Sequence, residues 1–131
     1  MSKHAPHLGD WEPAADLLQD RIILVTGAAS GIGRALVGAG AAHGATVIML
    51  DRDVHGLEQA YDAIVAAGDP EPAIYPMDLQ GAVPGDYTTL ADTLVTEFGH
   101  LDGLVHNAAQ LGALVPFANF EHDLWFQTLQ T

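Results

Sequence analysis

Gly27, Gly31 and Gly33 give the spacing Gly-x-x-x-Gly-x-Gly, with Thr26, Ser30 and Ile32 filling the positions around them. A glycine-rich turn of this kind bares consecutive backbone N–H groups, and a helix starting inside it adds the positive end of its dipole. The chemistry on offer is the holding of a phosphate. The elements around the turn are those that would aim it. Residues 22–25 are four apolar β-formers in a row, as in a strand buried on both faces, and residues 32–43 are small and helix-prone. A second spacing, Gly38-x-Gly40-x-x-x-Gly44, follows no strand; it reads as close helix packing ended by a glycine C′ residue.

A carboxylate stands where a nucleotide sugar would lie. Asp51 closes a second apolar run, residues 46–50, and comes 18 residues after Gly33. At about that distance from a glycine motif an acid meets the adenosine ribose, accepts from both its hydroxyls and repels a 2′-phosphate. The competing role for Asp51 is to cap the helix that follows.

With Thr before the first glycine and Ile between the last two, residues 26–33 resemble the short-chain dehydrogenase/reductase family. The opening stretch 17–27 and the segment His106-Asn107-Ala108-Ala109-Gln110-Leu111-Gly112 look closest to its bacterial YciK-like oxidoreductases. The resemblance implies an NAD(P)-binding Rossmann sheet. It also implies that Asp78 and Leu79 reach the adenine amino group, although Asp78 also suits a turn or a helix cap. Residues 106–109 match the family's Asn-Asn-Ala-Gly segment, whose small residues let the backbone approach the adenosine. The chain departs from it twice, with His106 for the first Asn and Ala109 for Gly; Ala109 suffices unless the position needs a positive φ. His106 reads more readily as a structural side chain than as a catalyst. In NADP-preferring members a basic residue follows the second strand, which is where Arg52 stands. Asp51 and the neutral Ser30 favour NAD, Arg52 favours NADP, and the balance falls to NAD.

The implied cofactor-binding set is therefore Thr26, Gly27, Ser30, Gly31, Ile32, Gly33, Asp51, Arg52, Asp78, Leu79, Asn107, Ala108 and Ala109. The family's catalytic Ser and Tyr-x-x-x-Lys pair have no counterpart here. Tyr61, Tyr75 and Tyr87 each lack a Lys four residues on, and Ser2 and Ser30 are the only serines. No catalytic residue and no metal set is assigned. His4, His7, Asp10 and Glu12 are metal-capable, but nothing in the sequence fixes their geometry.

Composition narrows the partners. Four basic residues face 17 acids, a net charge of −13, which excludes a phosphate-neutralising surface and with it nucleic acid. Charge this high self-repels and is screened by salt, so a saline interior is expected of the host. No apolar run approaches the roughly 18 residues a membrane span needs. There is no cysteine, which fits a cytoplasmic location.

The order of elements completes the expectation. Residues 1–18, broken by Pro6, Gly9 and Pro13, read as a tail, with a helical turn over 14–20. Residues 19–131 read as a partial NAD(P)-binding Rossmann domain. Strands are expected at 22–25, 46–50, 73–75 and 104–106, with helices at 32–43, 54–67, 87–98 and 120–130. The buried stripes are Leu57, Ala60, Tyr61, Ile64 and Val65 in the second helix, and Leu90, Leu94, Val95 and Phe98 in the third. Asn119 or Asp123 is expected to cap the last helix. The fold class is α/β, a doubly wound parallel sheet of four βα units in the order 3-2-1-4, interrupted in the helix after strand four. Two functions fit. One is the cofactor-binding half of an oxidoreductase that moves hydride between nicotinamide and a carbonyl or alcohol, homo-oligomeric at full length. The other is a non-catalytic nucleotide-binding or interaction module.

Overall fold

The computed structural model describes residues 11–131, so His4, His7 and Asp10 lie outside the described residues. Four parallel strands, β1 (Ile22–Thr26), β2 (Thr46–Asp51), β3 (Ala73–Pro76) and β4 (Gly103–Val105), form one sheet in the order β3-β2-β1-β4. Helices α1 (Gly31–Ala42), α2 (Val54–Ala67), α3 (Pro84–Phe98) and α4 (His122–Gln130) follow the strands in turn. The expected strand order is the observed one.

Period-two alternation explains why the strands are apolar throughout. On β2, Val47 and Met49 join one core with Val25, Val37, Leu57 and Ile64, beneath α1 and α2. Ile48 and Leu50 point the other way and pack with Leu24, Leu90 and Leu94, beneath α3. Both faces of the central strands are thus covered, as parallel sheets require. Full burial of each such side chain favours folding by about 1.5–3 kcal/mol.

The register places the site. Thr26 lies opposite Leu50, Asp51 opposite Pro76, and Val25 opposite Val105. The C-terminal ends of all four strands therefore meet at one edge of the sheet, where open α/β sheets receive ligands. The opposite edge is tied by Asp102, whose Oδ2 accepts the Ile22 N–H at 2.8 Å and whose Oδ1 accepts from Arg21 Nη1 at 3.2 Å.

Several expectations need correction. Val65 and Val95 are 47% and 64% exposed, because each helix meets the sheet along a narrower stripe than its apolar residues span. Helix α3 starts one turn early, at Pro84, since Pro suits the first helical turn and Asp86 accepts the Val83 N–H at 2.8 Å. Helix α4 starts at His122, with Glu121 at its cap position and neither Asn119 nor Asp123 capping it. The helical turn expected over 14–20 is present as hydrogen-bonded turns over residues 15–20 (Leu17 N–H to Ala14 O, Gln19 N–H to Asp16 O).

Candidate functional site

The glycine turn folds tightly because it has no side chains to obstruct it. Gly27 takes φ 68°, and Gly33 sits directly against it: a Cβ on Gly33 would lie 2.0 Å from the Gly27 carbonyl oxygen. Any side chain at Gly33 would force the turn open. Helix α1 then begins at Gly31 with Ser30 at its cap position, and the Ser30 side chain makes no capping bond. The first-turn N–H groups are left for an external acceptor, the arrangement that suits a phosphate.

Thr26 and Asn107 hold the turn from below. Thr26 is 6% exposed; its Oγ1 accepts the N–H groups of Asn107 and Ala108 at 3.1 and 3.0 Å and donates to Val105 O at 3.4 Å. Asn107 Nδ2 donates to Thr26 O at 3.0 Å and to Gly27 O at 3.2 Å. The end of β4 is thus stitched to the end of β1 across 81 residues of sequence. Ala109 needs no glycine, because Asp20 alone among the described non-glycine residues has a positive φ.

Above this frame lies a cavity of about 480 Å³, within the usual range for small-molecule sites. The glycine turn contributes Gly27, Ser30, Gly31 and Ile32 to its lining. The end of β2 contributes Asp51 and Arg52, the end of β3 Asp78 and Leu79, and the end of β4 Asn107, Ala108 and Ala109. Eleven of the thirteen residues singled out in the sequence therefore line one cavity. The other two, Thr26 and Gly33, lie behind its wall and shape it. Sequence reasoning missed Leu50 and Met77 on the apolar side, and Asp53, Gln110 and Thr131 on the polar side. Leu50 and Met77 each stand one place before a chosen acid, the only signal that could have found them.

Three acids and one base line the cavity. Asp51 does not cap α2; Asp53 does, accepting the Gly56 N–H at 3.1 Å. Asp78 accepts the Gln80 N–H at 3.1 Å at the head of a short 3₁₀ turn, so it fills the turn role while also facing the cavity. Arg52 Nη1 reaches Gln80 Oε1 at 3.5 Å. Positive potential for an anion thus comes from Arg52 and the uncapped N–H groups at the start of α1. His106 is exposed and lies outside this lining.

A short chain dehydrogenase family model matches residues 21–131. The chain belongs to the short chain dehydrogenase family. It is 37% identical over 120 residues to YciK of Escherichia coli (strain K12), an uncharacterized oxidoreductase, covering 92% of this chain and 48% of that relative. A short chain dehydrogenase from Pseudomonas syringae is 41% identical with a TM-score of 0.89, over 92% of this chain and 50% of that one. One from Shigella flexneri 2a str. 301, solved complexed with NADP, is 38% identical with a TM-score of 0.86, over 89% of this chain and 49% of that one. The chain spans about half the length of these relatives. Among the described residues of this family member, no helix is long and apolar enough to cross a membrane.

Proposed function

We propose that these residues are the cofactor-binding half of an NAD(P)-dependent oxidoreductase and hold the adenosine and diphosphate portions of a nicotinamide dinucleotide. The observation that carries this reading is the convergence of four separate strand ends, glycine turn included, on one cavity. The residues fit the group. The bare N–H groups after Ser30 suit a diphosphate, Asp51 suits ribose hydroxyls, and Leu79, Met77 and the exposed face of Ile32 offer apolar surface. A bound nicotinamide supplies or accepts hydride; these residues bind and orient it. Reduction of a carbonyl or oxidation of an alcohol requires an acid–base group. None of Tyr61, Tyr75 and Tyr87 lies in the cavity lining, so these 131 residues alone are inactive in this reading. The cytoplasmic setting and the homo-oligomeric full-length protein belong to the same proposal.

Asp51 supports NAD, while Arg52 and the NADP-complexed relative support NADP. We assign NAD preference, because a carboxylate in the cavity wall repels a 2′-phosphate. Asp51→Ala is expected to weaken NAD at least about tenfold, a charged hydrogen bond's worth, and to bring NADP closer to parity. Titration calorimetry with both dinucleotides checks this. A variant that keeps the wild-type affinity for both contradicts it.

A further inference from the structure

Asp51 is engaged before any ligand arrives. Its Oδ2 accepts the Ala29 N–H at 3.0 Å, and its Oδ1 accepts the Asp53 N–H at 3.0 Å. Ala29 is the buried midpoint of the glycine turn, 4% exposed, so the carboxylate grips the turn that would hold the diphosphate. Helix α2 presses on the same residue. Gly56 is buried, and a Cβ there would lie 2.8 Å from Ala29 Cβ, 3.0 Å from Ala29 O and 2.7 Å from Asp53 Oδ2. The glycine turn is therefore held between a charged acceptor on one side and a close-packed glycine on the other.

Backbone N–H groups bind an anion well when they are already aimed, because the cost of ordering them has been met in the fold. We propose that Asp51 is a positioning residue for the diphosphate-binding turn, acting through the Ala29 N–H with Gly56 as a backstop. This rests on the nucleotide-binding reading above and adds to it: Asp51 matters even to a ligand with no ribose hydroxyl to offer. Positioning and charge predict opposite signs. Removing a carboxylate beside a diphosphate should tighten binding by charge alone, whereas releasing the turn should weaken it.

The test uses ADP and 2′,3′-dideoxy-ADP, titrated calorimetrically into the full 131-residue chain. Asp51→Asn cannot accept from both N–H groups at once, and it should weaken dideoxy-ADP about fivefold, the fold-change of one ordinary hydrogen bond. Gly56→Ala should weaken dideoxy-ADP as well, and adding Ala29→Gly should restore part of the loss by removing one atom that the new methyl meets. Thermal melts identify the variants that fold, and Gly56→Ala keeps the question open to test if Asp51→Asn does not. Dideoxy-ADP bound by a folded Asp51→Asn as tightly as by wild type, or more tightly, overturns the proposal, even if ADP is weakened. Unchanged dideoxy-ADP affinity in a folded Gly56→Ala overturns it too. A wild-type chain that binds neither ligand overturns the nucleotide reading and this proposal together.

Discussion

Thr26 and Asn107 show how much of the candidate site is built from bonds between the strand ends themselves. One hydroxyl satisfies two backbone N–H groups of the β4 end, and one amide satisfies two carbonyls of the β1 end. Thr26→Val keeps the shape and orphans both N–H groups, at about 1–3 kcal/mol for each buried unsatisfied group. A loss of at least about 2 kcal/mol in urea unfolding is expected; an unchanged midpoint contradicts the role given to this hydroxyl. The residue types here were legible in the sequence, and their work was not. Asn107 reads as a cofactor neighbour from the motif it belongs to, while its partners lie 80 and 81 residues away and appear only once β1 and β4 pair. Asp51 is similar: its spacing from the glycines reads as that of a ribose-facing acid, but its bond to Ala29 depends on a turn geometry that no periodicity encodes.

At the scale of elements, the sequence carried most of the sheet. Helix α2 runs Val54–Ala67, as the 3- and 4-residue spacing of Leu57, Ala60 and Ile64 requires, and it ends at Gly68 in the left-handed conformation. What failed was the width of the buried stripes, because amphipathic spacing says which face turns inward but not how far the sheet extends beneath it. The start of the sheet depends on Asp102. The Ile22 N–H holds its carboxyl below the usual carboxylate range, with Arg21 and His100 adding to the effect against the cost of desolvation. A folded pKa below the unfolded one contributes stability above the unfolded value, and that stability is lost as pH falls through the folded value. Asp102→Asn should therefore melt lower than wild type at neutral pH, with the gap closing in acid. Melting curves from neutral to strongly acidic pH check this, and a gap constant across the range contradicts it.

The whole molecule carries a net charge of −13 on 131 residues, and Arg21, Arg34 and Arg52 are its only arginines. Arg21 pairs with Asp102 at 3.2 Å, with most of its side chain in solvent, so this surface pair offsets little of the self-repulsion. Added KCl screens like charges across the surface, so the unfolding midpoint should rise with KCl; a flat or falling curve contradicts this. At the same scale, β4 is an edge strand, and Leu104, Trp125, Phe126 and Leu129 stand exposed on and after it. Composition alone could not show this surface, because 49% hydrophobic content says how much apolar area exists and not where it lies.

All three scales meet in the claim that one cavity at the strand ends takes a nicotinamide dinucleotide. The most direct test is backbone amide NMR of the 13.8 kDa chain during titration with NAD. The account predicts shifts concentrated at Gly27–Gly33, at Asp51 to Asp53, at Asp78 and Leu79, and at Asn107 to Ala109. Shifts absent at saturating NAD, or centred on the outer faces of α1 and α2 around Arg34 and Asp69, would contradict it.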